Sequence, residues 1–446
     1  MYLTENWTSL TPSEKFDARF KIWMNPEGVE FAPGAEEKFR ERAQIIKDAV
    51  DLKKPSRIPI CPMIGFFPVF HAGITAEEAM YDYKKLGMAM RKYHEDFPAD
   101  SMNSGFLIGP GNIFEKLDYK LYKWPGHGCS PNTPYQCWED EYMSADEYDL
   151  LINDPSNFWM RVYLPRIFGA LQPWQMLAPF TDLIELPFVG ASLIPVGIPE
   201  VQESFKKFLE AGRMAMEWIV ALSEIDGGNM ATFGAPAIMG GFCKAPFDTL
   251  GDTMRGTQPL MLDIFRRPDK VHKAMEILTP LNIELGIRTA TANKCPFVFM
   301  PLHKGADGFM SDKQYAEFYW PYLKRVMLGL IEEGCVPMPF AEGGYNQRLE
   351  YLADPELPAG KILWFFDNTD MEKVKVALQG KACFAGNVPA SLFKAGTPQQ
   401  VEQYVKDLIG KVGQDGGFIL SNGAVLDDAH PENLRAMFDA GLKYGS

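Results

Sequence analysis

The sequence has no long apolar run, and its cysteines are few and scattered. No stretch reaches the roughly 18–20 apolar residues of a transmembrane helix, and the opening MYLTENWTSLTPSEKF lacks the basic segment and apolar core of a signal peptide. The seven cysteines include no C-x-x-C pair, a pattern typical of reduced thiols rather than a disulfide framework. We therefore expect a cytoplasmic protein with no membrane partner.

Several functional classes lack their signatures. The formal net charge of −14 argues against a nucleic-acid binder, which needs clustered Lys and Arg to contact phosphates. The sequence contains no G-x-G-x-x-G, no G-x-x-x-x-G-K-S/T and no G-x-S-x-G. A Rossmann or P-loop nucleotide site and a serine hydrolase are therefore unsupported.

What the chain does have is one repeated device between residues 295 and 426. Short apolar runs stop abruptly at polar residues and glycine, in CPFVFMPLHKGAD, GCVPMPFAEGGYNQ, KILWFFDNTD, ACFAGNVPAS and GFILSNGAV. Helix-like stretches separate the runs, as in repeated βα units. Runs that are apolar throughout are typical of parallel strands covered on both faces. The pattern predicts an α/β barrel.

The rest of the chain is interpreted around that barrel. Residues 1–52 are amphipathic and predict an N-terminal helical extension, and residues 53–446 are assigned to a single (β/α)8 barrel. Residues 117–185 are rich in Gly, Pro, Asn and aromatics, and are interpreted as an irregular insertion or lid. Asp370 is predicted to be the N-cap of the helix MEKVKVAL.

Polar residues at the ends of the runs form the candidate site, because the carboxyl ends of parallel strands share one mouth. They are His303, Glu342, Asp367, Asn387 and Asn422. Glu342, Asp367 and His303 are the candidate catalytic residues, with a structural role at a helix start or in a hydrogen bond as the alternative for each. The same three side chains could form an open zinc site with a fourth position for a substrate oxygen. The H-x-C-x7-C pattern of His127, Cys129 and Cys137 is interpreted as ordinary loop residues.

The C-terminal half resembles the uroporphyrinogen decarboxylase superfamily. The segments that carry the resemblance are GADGFMSDKQYAEFYWPYLKRVM, PFAEGGYN, FAGNVPASLFKAGTPQQVEQYVKDLI and GGFILSNGAVLDDAHPENLRAMFDA. A weaker resemblance extends to RIPICPMIGFF and HEDFPAD. The resemblance implies a distorted (β/α)8 TIM barrel, and it makes a homodimer an expected assembly.

The superfamily has a decarboxylase branch and a branch similar to cobamide-dependent methyltransferases. True decarboxylases carry arginines after the first strand that grip substrate carboxylates, whereas this chain has no arginine between Arg57 and Arg91. Thiol-activating methyltransferases carry a His-x-Cys where this chain has Phe340 and Glu342, and a late cysteine where it has Asn422. The resemblance therefore implies oxygen chemistry rather than thiolate chemistry at the mouth.

We expect a methyltransferase that takes a methyl group from a methoxylated aromatic compound and passes it to the cobalt of a separate corrinoid protein. Asn387, Asn422, Asp100, Asn103 and Phe340 are the candidate substrate- or corrinoid-binding residues. The expected cofactors are a cobalamin carried by that partner and a zinc ion. The alternatives are a divergent decarboxylase or lyase of the same fold, and a tetrapyrrole or corrinoid binder without activity.

Overall fold

A computed structural model describes residue 3 and residues 6–446. Its strands are β1 Tyr122–Pro125, β2 Gly128–Cys129, β3 Gln136–Cys137, β4 Gly241–Phe242, β5 Phe297–Leu302, β6 Val336–Ala341, β7 Leu363–Phe366, β8 Cys383–Val388 and β9 Phe418–Asn422. Strands β4 to β9 form one parallel sheet in chain order. The predicted apolar runs are therefore neighbouring parallel strands.

Two extended segments close this sheet into a barrel. Ile60 forms a parallel bridge with Leu420 of β9, and Met102 forms one with Ala237, just before β4. The two segments are joined to each other, because the Asp100 amide donates to the Ile60 carbonyl at 2.9 Å. The ring thus runs from β9 through both segments back to β4, and the predicted (β/α)8 barrel is confirmed.

Alternate residues of each strand fill the barrel interior. Phe297 and Phe299 of β5 pack with Met338 and Phe340 of β6, while the intervening residues of β5 belong to the outer cluster beneath the helices. Burial of each large apolar side chain stabilises the fold by about 1.5–3 kcal/mol. This period of two fixes which residues face the interior at the strand ends.

The N-terminal helices cover the amino-terminal end of the barrel. They are α1 Pro12–Met24 and α2 Ala35–Val50. The side chains of Phe20 and Trp23 pack edge-on against Phe297, with ring centroids 5.7 and 5.4 Å away. The predicted helical extension is thus part of the core; residues 1, 2, 4 and 5 of that prediction lie outside the described residues.

Helices and turns connect the strands. Those before the insertion are α3 Phe67–His71, α4 Ala76–Tyr81 and α5 Tyr83–Asp96. Those after it are α12 Pro246–Asp248, α13 Thr257–Arg266, α14 Pro268–Ala292, α15 Asp312–Gln314, α16 Trp320–Glu332, α17 Leu349–Leu352, α18 Met371–Leu378, α19 Ala390–Ala395, α20 Pro398–Val412 and α21 Pro431–Tyr444. Two short π-helical stretches lie among these connections, at Thr249–Met254 and Tyr315–Tyr319. The Asp370 side chain caps α18, as predicted.

Among the described residues, no helix combines the length and apolar character needed to span a bilayer.

A long insertion separates the second and third barrel positions, between Met102 and Ala237. It holds the small sheet β2-β1-β3 and the helices α6 Gly111–Leu117, α7 Tyr148–Asn153, α8 Pro155–Phe158, α9 Leu164–Ile167, α10 Phe188–Leu193 and α11 Pro199–Phe233. It also holds 3-10 turns at Gly105–Ile108, Gly169–Met176, Phe180–Asp182 and Ile194–Gly197, and a π-helical turn at Trp159–Tyr163. The insertion is longer than the predicted 117–185, because α11 also belongs to it; the interpretation of 117–185 as a lid stays a prediction. A 3-10 turn at Trp7–Ser9 precedes α1.

Candidate active site

Side chains alternate between the two faces of each strand, and this alternation brings four predicted site residues to the same opening of the barrel. The inward-facing side chains of β5, β6, β7 and β8 belong to one buried cluster, and the same alternation turns the next positions at the strand ends inward. Those positions hold His303, Glu342, Asp367 and Asn387. These side chains therefore lie above the aromatic layer at the carboxyl end of the barrel, where barrel enzymes hold their reactive groups.

His303 lies between two carboxylates. Its Nδ1 atom is 2.6 Å from an Asp252 oxygen, and its Nε2 atom is 3.3 Å from an oxygen of Glu342. The first contact fixes the ring, because an ionised carboxylate accepts from Nδ1–H. The second nitrogen then faces Glu342. With 37% and 48% of their side chains exposed, His303 and Glu342 are accessible from the mouth.

A buried charge cluster holds Asp252 in place. Lys244 and Lys304 both pair with Asp252, the second at 3.1 Å. Asp248, four residues earlier, is fully buried and accepts hydrogen bonds from the backbone N–H groups of His303 and Lys304 at 3.2 and 2.8 Å. The Tyr319 hydroxyl donates to the same carboxylate at 2.6 Å. The cluster therefore positions both the backbone and the ring of His303.

These surroundings shift the pKa values of the site in a consistent way. Burial acts to lower the pKa of His303, but the hydrogen bond and charge of Asp252 outweigh it, so that pKa is raised. Burial raises the pKa of Glu342, and the charge of Asp367 adds to the effect while that of His303 opposes it. Burial also raises the pKa of Asp367. Both shifts favour the protonated forms of Glu342 and His303.

Asp367 and Asn387 are tied to the loops of the mouth. The Asp367 carboxylate accepts from the Gly343 amide at 3.0 Å, next to Glu342. The Asn387 side chain donates to the Asp367 and Thr369 carbonyls at 2.9 and 2.8 Å. Asp367 thus contributes charge at the mouth, while the amide of Asn387 fixes the loop that carries it. Their predicted catalytic and binding roles stay predictions.

Asp100 and Asn103, two further predicted binding residues, are held by contacts with other side chains. Asp100 is buried and accepts two hydrogen bonds from the Arg57 guanidinium, at 2.6 and 2.7 Å. Asn103 is buried, and its side-chain amide donates to the Tyr93 hydroxyl at 3.3 Å. Their surroundings support a structural role, and binding by either residue stays a prediction.

Asn422 and Phe340 are also buried. The Asn422 side chain bridges β9 to the first barrel segment, because it accepts from the Met63 amide at 2.8 Å and donates to the Met63 carbonyl at 2.7 Å. Phe340 stacks on Phe299 with ring centroids 6.3 Å apart, one inward position below Glu342. Phe340 thus forms part of the floor of the mouth.

His303, Glu342 and Asp367 are the ligands of the predicted zinc site. Within the part of the chain that the structure describes, no three His, Cys, Asp or Glu side chains come together as metal ligands. His303 uses one ring nitrogen for Asp252, and the Asp367 carboxylate accepts from a backbone amide. The zinc site stays a prediction.

Sequence reasoning missed Lys244, Asp248 and Asp252. The pattern of the segment FDTLGDTM predicts loop and short strand, whereas the segment forms the end of α12 and a π-helical turn. Its two aspartates are four residues apart, a spacing that places both carboxylates on one face of a helix. That spacing is the signal that could have found them.

The small sheet of the insertion lies over this cluster. Glu139, two residues after β3, accepts from the Thr257 amide at 2.6 Å, and its carboxylate is 3.4 Å from the Lys304 ammonium. Burial and the charge of Asp252 raise the pKa of the Cys137 thiol. Part of the predicted lid thus contacts the buried support of His303.

Comparisons with known proteins agree with this architecture. Residues 230–444 match the family model for uroporphyrinogen decarboxylase (URO-D). The uroporphyrinogen decarboxylase of Salmonella dublin is 26% identical over 137 residues, which cover 30% of this chain and 38% of the relative. That of Cellvibrio japonicus is 22% identical over 190 residues, which cover 41% and 51%. The chain thus spans about half or less of the length of these relatives.

A solved structure extends the likeness to nearly the whole chain. A methyltransferase from Methanosarcina mazei superposes with a TM-score of 0.58 over 91% of this chain and 99% of its own, at 12% identity. An identity this low supports a common fold alone. Together with the family match over residues 230–444, it shows that this chain is similar to the uroporphyrinogen decarboxylase superfamily in sequence and in fold.

Proposed function

We propose that this protein is a methyltransferase that removes the methyl group of a methoxylated aromatic compound and passes it to the corrinoid of a separate protein. The observation that carries the proposal is the line of Asp252, His303 and Glu342, with separations of 2.6 and 3.3 Å, at the open end of an aromatic-lined barrel. Cleavage of a methyl ether leaves a phenolate, which needs a proton donor at its oxygen.

The chain's own residues supply that proton. His303 and Glu342 share a proton between Nε2 and the carboxylate, and Glu342, the more exposed of the two, gives it to the aryl oxygen. The methyl C–O bond breaks with its electron pair left on that oxygen, which the proton then neutralises. When bound, the reduced corrinoid of the partner would supply the nucleophile that accepts the methyl group. Burial acts to raise the pKa of Asp252, but its bonds to His303 and the two lysines outweigh burial, so Asp252 stays ionised.

The charge balance at the mouth favours a substrate without multiple carboxylates. Among the described residues, Glu342 and Asp367 have no lysine or arginine partner, while Lys244 and Lys304 are both bound to Asp252. The carboxylate of Asp427, near the first barrel segment, accepts a hydrogen bond from the Phe66 amide, and burial raises its pKa. Such a mouth offers no unpaired cation to a substrate carboxylate, whereas a neutral aryl methyl ether needs none.

A decarboxylase or lyase of the same fold is the second candidate, and the names of the curated relatives favour it. The position of Arg57 weighs against a polycarboxylate substrate. Its guanidinium is bound to Asp100, so it does not act as a free clamp for substrate carboxylates. Binding of a tetrapyrrole or corrinoid without turnover is the third candidate.

One experiment separates these candidates. The purified protein is incubated with free cob(I)alamin and a panel of methoxylated benzenes, and the Co–CH3 absorption spectrum and the released phenol are both measured. We expect stoichiometric phenol and methylated cobalamin with the wild type, and loss of both with Glu342→Gln. A parallel incubation with a panel of carboxylic acids measures CO2, and CO2 release without cobalamin methylation would establish the decarboxylase instead. A spectral shift of bound corrinoid with no phenol would establish the inactive binder.

A further inference from the structure

One face of the small sheet in the insertion carries two tyrosines. Strands β1 and β3 are antiparallel and place Tyr122 directly opposite Cys137, so these two side chains share a face of the sheet. Tyr135, two residues before Cys137, lies on the same face, and its ring contacts that of Tyr122 edge-on with centroids 5.6 Å apart. Tyr122 and Tyr135 are called here the tyrosine wall.

The tyrosine wall faces the buried cluster that supports His303. Burial raises the pKa of Tyr122, and the charge of Asp252 is among the charges that add to the effect. Burial and the same carboxylate also raise the pKa of the neighbouring Cys137 thiol. Both side chains therefore lie within the electrostatic reach of Asp252, which holds the ring of His303.

The segment after β3 fixes the position of the wall. The Glu139 carboxylate accepts from the Thr257 amide at 2.6 Å, and the Glu141 carboxylate accepts from the buried Arg255 guanidinium at 2.5 Å. Arg255 and Thr257 come directly after the π-helical turn that carries Asp252. The sheet is thus tied to the same turn that positions His303, so the separation between the wall and the histidine is set.

The space between the wall and the mouth is open to solvent. Cys137 is exposed even though the charge of Asp252 reaches it, and Tyr122 is half-buried. On the other side of the space, the side chains of His303 and Glu342 are both accessible. A small molecule can therefore lie between the wall and these two residues.

The rings of the wall are held in place before any ligand binds. Tyr122 stacks on Tyr119, and Tyr119 stacks on Phe168, with ring centroids 5.7 and 4.9 Å apart. The Tyr135 hydroxyl donates to the Leu107 carbonyl at 2.7 Å. Because these contacts already order the rings, a ligand that packs on them loses little free energy to ordering the site.

We propose that Tyr122 and Tyr135 hold the aromatic ring of the substrate beside His303 and Glu342, and so select aromatic over aliphatic methyl ethers. The wall thereby sets the substrate class of the proposed function, on which this inference rests. An aromatic ring gains edge-to-face and offset-stacked contacts with the two phenol rings, and a saturated ring of the same size lacks them. Neutral phenol groups also suit an uncharged ether.

The test is a binding measurement made without any corrinoid. Isothermal titration calorimetry compares 1,2-dimethoxybenzene with its saturated counterpart, 1,2-dimethoxycyclohexane. We expect the wild type to bind the aromatic ether about 10-fold more tightly. Tyr122→Leu should raise the Kd of the aromatic ether about 10-fold and change that of the saturated ether by less than about 2-fold. Tyr122→Phe keeps the ring and should bind both ethers as the wild type does.

Trp138→Leu is the matched control. Trp138 directly follows Cys137, so its side chain points to the opposite face of the sheet, where it is 49% exposed beneath the Lys123 ammonium. The variant removes an aromatic ring from the same sheet and should keep the wild-type affinity for both ethers. Circular dichroism should show that all three variants are folded.

The cysteines give a second measurement in the unaltered protein. Cys137 is exposed on the face of the tyrosine wall, Cys129 lies half-buried on the opposite edge of the sheet, and the other five cysteines are buried. Alkylation by iodoacetamide is followed at each cysteine by mass spectrometry. We expect 1,2-dimethoxybenzene to slow the alkylation of Cys137, with half-maximal protection at the Kd from calorimetry, and to leave that of Cys129 unchanged.

Equal affinity for the two ethers, an aromatic preference that survives Tyr122→Leu, or no protection of Cys137 would overturn the proposal. Protection of Cys137 by hydroxocobalamin but not by the ether would assign the wall to a corrin ring and would overturn it as well. Neither measurement depends on turnover. Ring binding without methyl transfer to cob(I)alamin would therefore contradict the proposed function alone, whereas methyl transfer that Tyr122→Leu leaves unchanged would contradict the role of the wall alone.

Discussion

Asp252 precedes His303 by 51 residues in the chain, yet its carboxylate lies 2.6 Å from His303 Nδ1. This contact determines what the histidine can do. It fixes the ring so that Nε2 faces Glu342 at 3.3 Å, and it raises the pKa of the imidazole against the effect of burial. A histidine supported by a carboxylate and facing a second one is an arrangement for proton transfer.

Glu342→Gln should lower kcat about 100- to 10,000-fold, because the amide cannot give a proton to the leaving oxygen. Its shape is retained, so substrate binding should change little. Glu350→Gln, on the exposed side of α17, is the matched control and should behave as the wild type. Steady-state phenol release measures both. A Glu342→Gln variant with wild-type kcat would remove Glu342 from the reaction.

The pH dependence should reveal the link between Asp252 and His303. Because the pKa of His303 is raised, its proton persists to higher pH, and activity should fall on the alkaline side as the proton is lost. In Asp252→Asn the raising effect disappears, so the alkaline limb of kcat/KM should move to lower pH. An alkaline limb that is the same in the wild type and Asp252→Asn would contradict the link.

Asp252 and His303 also make the free energy of unfolding depend on pH, and the direction of each pKa shift sets the sign of that dependence. The raised pKa of His303 contributes stability that is present at low pH and is lost as pH rises through its folded pKa. The lowered pKa of Asp252 contributes stability that is present above its unfolded pKa and is lost as pH falls. Chemical unfolding measured from acidic to alkaline pH checks both directions. A free energy of unfolding that does not change with pH would contradict both.

Asp100→Asn should lower the free energy of unfolding by about 3–5 kcal/mol, because it leaves the buried ends of Arg57 and Arg42 without their counter-charge. Glu95→Gln, at an exposed pair on α5, should change it by less than about 0.5 kcal/mol. Urea unfolding measures both. If Asp100 instead binds substrate, Asp100→Asn would raise KM and leave stability unchanged.

Asn422→Ala should destabilise the protein by about 2–3 kcal/mol, because it leaves the Met63 amide and carbonyl at the closure of the barrel without partners. Gln403→Ala, on the exposed face of α20, is the control and should have a small effect. Thermal unfolding gives the comparison. A stable Asn422→Ala variant with impaired activity would support the predicted binding role instead.

Chelation tests the predicted zinc site. We expect the protein to keep its methyl-transfer activity after dialysis against a chelator, because proton transfer by Glu342 and His303 needs no metal. Elemental analysis should accompany the assay in the wild type and in His303→Gln. Stoichiometric zinc that is lost together with activity on chelation, and is absent from His303→Gln, would establish the metal site.

The barrel fold and the positions of His303 and Glu342 could be predicted from the sequence for a simple physical reason. Apolar runs of strand length that end at polar residues encode a parallel barrel, and the period of two carries His303 and Glu342 to its interior. Asn422 also ends an apolar run, but its side chain lies on the opposite face of the strand from the interior residues. Ile419 faces the interior, so the same phase points to Ser421, and Asn422 lies on the other side of the strand.

The support of His303 was beyond sequence reasoning because it depends on contacts between distant segments. Asp252 lies in a π-helical turn whose place beside β5 is set by packing, and Glu139 reaches Lys304 from the insertion. The exposure of the apolar side chains in residues 180–194 was missed for a different reason. A run of apolar residues shows no sign of exposure in the sequence, and only the packing of α10 and α11 reveals that the described part of the single chain leaves it uncovered.

The most direct test of the methyltransferase assignment is the transfer of an isotopically labelled methyl group from a methoxylated benzene to free cob(I)alamin. We expect the label to appear in methylcobalamin, one methyl for each phenol released, at a rate that Glu342→Gln reduces at least about 100-fold. Label that stays in the ether across the whole panel, with CO2 released from an acid substrate, would contradict the assignment.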